Sequence, residues 1–249
     1  MKIVGVIPAR YQSSRFPGKP LAMIDGVPMI VRVARQTEKA LGRANTYIAT
    51  DNEAIAAVCR DAGFEAVMTS PHCKTGTDRL AEFAQKIEAD VYVNIQGDEP
   101  VIDPADIGRI VEAKKRHFDL VVNGMCSLLP HESPDNVNLP KVVAASDGRL
   151  LYMSRLPVPG IKDGRNGRPD YKKQVCIYAF NKNELARYAT YDSKPACELY
   201  EDIEILRFLD AGVGVLMVET SGRSMAVDTP EDLQLVEAFI QHNRLTAAR

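Results

Sequence analysis

Arg10, Arg15 and Lys19 are crowded into one loop-like segment, Pro8-Ala9-Arg10-Tyr11-Gln12-Ser13-Ser14-Arg15-Phe16-Pro17-Gly18-Lys19-Pro20-Leu21, which follows the apolar run Ile3–Pro8. Small and turn-forming residues separate the cations. Such a loop suits a polyphosphate: backbone amides and the guanidinium forks of Arg10 and Arg15 can hold phosphate oxygens, and Lys19 can bridge them as a point charge. A solvated basic loop would explain the charges equally well. The spacing is neither the G-x-x-x-x-G-K-[ST] of a Walker loop nor the G-x-G-x-x-G of a dinucleotide-binding turn.

Two carboxylates could complete such a site. Asp98 follows the apolar run Val91-Tyr92-Val93-Asn94-Ile95 after Gln96 and Gly97, and Gly97 lets the backbone come close to a ligand. At a strand end its oxygens could serve a hard divalent cation, although a turn or cap role is the alternative. Asp228 stands before Thr229-Pro230-Glu231-Asp232-Leu233. A cap at Thr229, proline at the first helical position and acids at the positive helix end account for the residues after it. They leave Asp228 itself without a required role, and a metal ligand is a plausible one.

The elements that must position these groups alternate. Ile3–Pro8, Thr46–Asp51, Ala66–Thr69, Val91–Gln96 and Leu120–Asn123 read as buried strands; Pro28–Lys39, Asn52–Ala62, Thr77–Ile87 and Pro104–His117 read as helices. This implies an α/β fold with a mostly parallel sheet and helices on both faces, in which ligands bind beyond the C-terminal strand ends. From Pro130 the pattern changes to Pro-, Gly- and Asn-rich stretches with strand-like runs at Lys141–Ala145 and Val175–Phe180, predicting a smaller inserted antiparallel lobe at about 130–195 within a single domain of 1–249. A helix is expected over Cys197–Leu209, a strand over Val213–Val218 and a last helix from Pro230 to His242, with a poorly ordered tail over Asn243–Arg249.

The composition narrows the classes. Lys and Arg total 31 against 33 Asp and Glu, with no basic run, so nucleic acid is not an expected partner. The five cysteines are scattered without a C-x-x-C pair, which argues against a disulfide framework or zinc site. No run approaches the length of a membrane span, and the N-terminal apolar stretch is too short for a signal peptide, so a cytoplasmic location is expected.

The strings together are more specific than their charges. The first loop resembles the P-A-R-x-x-S-x-R-[LF]-P-G-K-P-L signature of the cytidylyltransferases that activate 3-deoxy-manno-octulosonate (Kdo), and the segments around Asp98 and Asp228 match that family's N-x-Q-G-D-E-P and V-D-T-P-E-D-L. The resemblance covers about residues 2–240. It implies a Rossmann-like nucleotidyltransferase (GT-A-like) sheet and a Mg²⁺-dependent transfer of CMP from CTP to an acidic sugar. It assigns Arg10, Arg15, Lys19 and Asp98 to the chemistry and Asp98 and Asp228 to Mg²⁺. On the nucleotide it places Pro8, Ala9, Arg10, Lys19, Thr50, Asp51, Ser70, Gly76, Thr77 and Arg79. On the sugar it places Gln96, Arg155 of Leu151-Tyr152-Met153-Ser154-Arg155, Gln174, Tyr178, Glu201 and Glu204. Glu198, Glu201 and Glu204 stand at helical spacing and so share one face, either reading the sugar or forming a solvated acidic face with Arg207 on Glu204. Gln174 and Cys176 replace a histidine and a glycine usual in the family, so a modified 3-deoxy-ulosonate is an alternative acceptor; the other readings are a sugar nucleotidyltransferase acting on a nonulosonic acid or a sugar 1-phosphate, and a catalytically silent nucleotide-binding module. A homodimer and a role in lipopolysaccharide or capsule synthesis are further implications.

Overall fold

The computed structural model describes residues 1–12 and 16–247. In chain order the elements are β1 (Ile3–Ala9), β2 (Met23–Ile24), β3 (Val27–Pro28), α1 (Met29–Leu41), β4 (Thr46–Thr50), α2 (Glu53–Asp61), β5 (Glu65–Met68), α3 (Gly76–Lys86), β6 (Val91–Ile95), α4 (Pro104–Arg116) and β7 (Val121–Ser127). They continue with β8 (Lys141–Ala144), β9 (Leu150–Ser154), β10 (Lys172–Phe180), α5 (Lys182–Tyr188), α6 (Ala196–Glu201), α7 (Ile205–Asp210), β11 (Val215–Glu219) and α8 (Pro230–Ala247).

Strand alternation builds two cores. On β1, Val4 and Val6 enter one apolar cluster with Leu80 and Phe83 of α3, Leu185 and Tyr188 of α5 and Phe208 of α7. Ile7 and Ala9 enter the other, with Ile30 and Val33 of α1, Ile55 of α2 and Ile107 and Ile110 of α4. Helices therefore cover both faces of the sheet, as the strand–helix alternation requires.

The main sheet runs β11-β7-β10-β6-β1-β4-β5, with β6, β1, β4 and β5 mutually parallel and β11 parallel to β7. β10 lies antiparallel between β6 and β7. β8 pairs the start of β10 and forms a hairpin with β9. Because β10 runs against β6, its first residues extend past the C-terminal end of that strand. A bulge between Val175 and Tyr178 bends it there, and the buried Asn123 amide donates to the carbonyls of both Val175 and Ile177 (2.9 Å each), sealing the irregular ladder.

Two of the expected helices take different bounds. The helix predicted over Cys197–Leu209 is two short helices, broken at Asp202, whose φ of 50° is left-handed. The break lets Arg207 bury its guanidinium against Glu198 instead of projecting along a continuous polar face. The last helix runs on to Ala247 rather than ending at His242. A third small cluster, Ile24, Met29, Val227 and Val236, docks α8 on the β2–β3 ribbon. No helix among the described residues is long and apolar enough to cross a membrane.

Candidate active site

The C-terminal ends of β1 and β6 border a cleft of about 330 Å³. Pro8, Ala9 and Arg10 leave β1; Gln96, Gly97 and Asp98 leave β6; Lys19 enters from the following loop. Lys74, Thr75, Gly76 and Arg79 line it from the start of α3, and Lys194, Asp202 and Glu204 from around α6 and α7.

Local structure explains how Lys19 arrives there. The Gly18 amide donates to the Tyr11 carbonyl at 3.0 Å, closing the loop, and Gly18 adopts φ 70°, a left-handed conformation that a side chain would strain. A single 3₁₀ turn, Lys19–Leu21, then follows, with Pro20 as its second residue. Gly97 is required for a different reason: a Cβ there would stand 2.9 Å from the Pro8 carbonyl oxygen. The β1 and β6 exits can approach this closely only without that atom.

Lys19 joins the two carboxylates. Its ammonium donates to Asp98 Oδ2 at 2.6 Å, to the Val227 carbonyl at 2.9 Å and to Asp228 Oδ1 at 3.4 Å. Those contacts keep the two carboxylate oxygens within about 6 Å of each other. Asp98 and Asp228 are 130 positions apart in sequence, yet they face one cation at one end of the sheet. The Val227 amide donates to the Asp98 carbonyl at 2.9 Å, so the two segments are also joined through their backbones. Asp232 accepts from the amides of Asp228 and Thr229 at 2.9 and 2.8 Å, and thereby caps α8. Burial alone would raise the Asp232 carboxyl, but the hydrogen bonds from Asp228 and Thr229 outweigh it and hold it below its ordinary value. Next to Asp98, Glu99 is raised to about 7, chiefly by burial, against a hydrogen bond from the Ser224 hydroxyl.

On the nucleotide side the geometry divides the expected residues. Pro8, Ala9, Arg10, Lys19, Gly76 and Arg79 line the cleft. Thr50, Asp51, Ser70 and Thr77 stand behind it. Asp51 accepts from Arg79 Nη2 at 3.0 Å, Thr69 accepts from Arg79 Nη1, and the Ser70 amide donates to Glu82. Arg79 is almost wholly buried by these bonds and braces the loop before α3. Arg15 lies outside the described residues.

The acceptor-side expectations fare differently. Gln96 and Glu204 line the cleft. Glu204 accepts from the amides of Gly76 and Thr77 at 3.2 and 2.9 Å, and burial raises its carboxyl above the ordinary range. Arg155 is placed otherwise than expected: its guanidinium donates to the carbonyls of Val137, Glu201 and Asp202 and lies outside the cleft lining. With three carbonyls satisfying it, the fork clamps α6 to the end of β9. Glu201 belongs to the same clamp, accepting from the Ser154 hydroxyl and the Arg155 amide at 2.7 Å each.

Glu198, Glu201 and Glu204 do not act as one face: the break at Asp202 sets Glu204 apart at the start of α7, and within α6 Glu198 meets Arg207 while Glu201 meets Ser154 and the Arg155 amide. Arg207 pairs with Glu198 and Asp78 and not with Glu204. Gln174 donates to Asn123 at 2.9 Å, and Tyr178 is buried in the core with Phe180 and Phe208, its hydroxyl raised by that burial. Lys194 and Asp202, which pair at the cleft wall at 2.5 Å, were not anticipated. Nothing in their local sequence separates them from surface charges.

The family model described as cytidylyltransferase matches residues 4–220. The chain belongs to the cytidylyltransferase family. Within that family, a 3-deoxy-manno-octulosonate cytidylyltransferase of Trichlorobacter lovleyi is 42% identical, over 94% of this chain and 96% of the relative. One from Escherichia coli is 37% identical over 96% of both chains. Among solved structures, a CMP:2-keto-3-deoxy-manno-octonic acid synthetase in complex with CTP superposes with a TM-score of 0.90 at 35% identity, covering 98% of this chain and 100% of that one. The expected cytidylyltransferase fold, a mostly parallel sheet with an antiparallel extension, is thus the observed one.

Proposed function

We propose that this cytidylyltransferase transfers CMP from CTP to the anomeric hydroxyl of 3-deoxy-manno-octulosonate or a close 3-deoxy-ulosonate, releasing pyrophosphate. The observation that carries this reading is the Lys19 ammonium held between Asp98 and Asp228 in the cleft at the strand ends. The names of the relatives and the CTP-bound neighbour support the choice of substrates.

The acceptor oxygen forms a bond to the α-phosphorus as the bond from that phosphorus to the β-phosphate's bridging oxygen breaks. The electron pair leaves on pyrophosphate, and the hydroxyl proton passes to solvent. Two anions must meet for this to happen, so the work of the chain is largely electrostatic. Lys19 and Arg10, with Arg15, neutralise the triphosphate and the departing pyrophosphate; one such preorganised contact typically contributes about 3 kcal/mol to the transition state. The early turn of α3 directs the Gly76 segment at the nucleotide.

Asp98 and Asp228 suit Mg²⁺. This ion is usually held by one or two carboxylates, with substrate phosphates and water completing its shell, and no cluster of three or more ligating residues occurs among the described residues. When bound, Mg²⁺ would neutralise phosphate charge and polarise the α-phosphoryl group. Lys194 is the cleft cation we assign to the acceptor's carboxylate, in place of Arg155.

We further assign the product to bacterial lipopolysaccharide or capsule synthesis in the cytoplasm, and the active form to a homodimer. Exposed apolar side chains at Leu151, Leu156, Leu199 and Tyr200, on β9, the loop after it and α6, supply a surface for the second copy. The test of substrate is a mass-spectrometric assay with CTP, Mg²⁺ and a panel of 3-deoxy-ulosonates, nonulosonates and sugar 1-phosphates. The proposal expects a CMP adduct and pyrophosphate with a 3-deoxy-ulosonate. CTP binding without pyrophosphate release from any acceptor would overturn it.

A further inference from the structure

Asp228 sits near the end of an irregular strap, residues 220–229, which joins β11 to α8 without a helix or strand of its own. A ligand on such a segment needs something else to hold it to the small tolerance that metal chemistry demands. Two buried carboxylates outside the cleft do so. Asp106, in the first turn of α4 and 2% exposed, accepts from the Ser221 amide at 2.9 and 3.1 Å and from the Ser221 hydroxyl at 2.5 Å. Glu99, 8% exposed, accepts from the Ser224 hydroxyl. Upstream, the Thr220 amide donates to the Met125 carbonyl at 2.8 Å; downstream, the Val227 amide reaches the Asp98 carbonyl at 2.9 Å.

A buried carboxylate is costly unless hydrogen-bonded, and for both acids the strap provides bonds. Neither acid lines the cleft, so contact with the nucleotide or acceptor does not account for them. The exposed guanidinium of Arg109 is the other partner of Asp106, and a surface pair of that kind contributes little.

We infer that Asp106 and Glu99 are positioning residues, anchoring the strap through Ser221 and Ser224 so that Asp228 stands opposite Asp98. The inference rests on the reading of Asp228 as a metal-holding residue. Side chains that orient a ligand from behind typically change metal affinity or activity by about 10- to 100-fold when removed. The energetic logic is entropic as well as geometric: a loosened strap would sample positions in which Asp228 no longer shares an ion with Asp98.

The experiment compares Asp106→Ala, Ser221→Ala, Ser224→Ala and the conservative Asp106→Asn with the unaltered protein. Leu185→Ala serves as a control that weakens the opposite core without touching the strap. Three quantities are read: amide hydrogen exchange of residues 220–229 in the free protein, Mn²⁺ binding to the protein–CTP complex by electron paramagnetic resonance, and half-saturating Mg²⁺ in turnover. Asp106→Ala should speed exchange across the strap, weaken Mn²⁺ about tenfold or more and raise half-saturating Mg²⁺ to match, with acceptor KM within about twofold.

Asp106→Asn, which keeps an oxygen for the Ser221 amide, should recover most of the loss. Leu185→Ala should lower the melting temperature without moving the metal readouts. Should Asp106→Ala fail to fold, the two serine variants carry the same expectation in weaker form. Strap exchange and Mn²⁺ affinity unchanged in every strap variant, while Asp228→Ala abolishes Mn²⁺ binding, would overturn this proposal alone. Unchanged Mn²⁺ binding in Asp228→Ala would instead remove the metal-ligand reading beneath it.

Discussion

Replacing Lys19 by methionine keeps the unbranched chain up to the ε position and removes the ammonium, so it isolates what the charged group does. In the free protein that ammonium stands between two carboxylates no more than about 6 Å apart. At an effective dielectric of about 20, two unit charges at that separation repel by ~3 kcal/mol. The Asp228 side chain is 41% exposed, and solvent screening reduces the effect to ~1–2 kcal/mol. For a chain of this size that is a fall of roughly 2–8 °C in melting temperature.

On the proposed role of Lys19 at the triphosphate, the same substitution also removes a preorganised contact, typically worth about 10²- to 10³-fold in kcat. The two consequences should part company as Mg²⁺ is added with CTP. Thermal unfolding should show the stability gap to Lys19→Met narrowing, because another cation then meets the carboxylates, whereas turnover at saturating substrates should stay depressed. A kcat within about threefold of the unaltered enzyme, or a stability gap indifferent to Mg²⁺ and CTP, would exclude this double role for the ammonium.

Other predictions follow from particular contacts. Asp232 has a folded-state pKa below its ordinary 3.8, so its stabilisation is present above that value and is lost as pH falls through the folded pKa. Asp232→Ala should therefore cost about 0.5–2 kcal/mol at pH 7 and progressively less in acid, as read by chemical denaturation across pH; a pH-independent cost would exclude the charged cap. Gly97→Ala places a methyl 2.9 Å from the Pro8 carbonyl and should separate the β1 and β6 exits, lowering kcat/KM by at least about tenfold; near-normal kinetics would show that the junction yields freely. Lys194→Ala should raise the acceptor KM about tenfold with little change for CTP, while Arg155→Ala should chiefly lower stability, since it clamps carbonyls outside the cleft. Steady-state kinetics with both substrates varied would reverse these assignments if Arg155→Ala alone altered the acceptor KM.

What could be read in the chain was local. The runs after which Arg10, Asp51 and Asp98 occur are short and apolar, and strand–helix alternation places such residues at one end of a sheet without knowledge of strand order. Helices α2 and α3 begin within a residue of their expected starts, after an Asn52 cap and a Thr75–Asp78 capping box. Partner choice across long separations was not legible. Three glutamates at i, i+3 and i+6 describe one helical face only if the helix continues, and a left-handed Asp202 breaks it. Arg155 sits in a string that suggested a cleft residue, but its environment comprises three carbonyls from distant segments. The strap held by Asp106 carries no periodicity at all; Ser221 and Ser224 look like any polar loop until α4 and β6 are brought beside them.

Whether Asp98 and Asp228 act as one unit beside Lys19 is measured directly by a double-mutant cycle. Half-saturating Mg²⁺ and kcat are determined for Asp98→Asn, Asp228→Asn and the double variant under saturating CTP and acceptor. A shared site gives strong non-additivity, with the double variant scarcely worse than either single one, because each substitution already dismantles it. Independent, additive losses would mean that the two carboxylates serve separate ends and would contradict it.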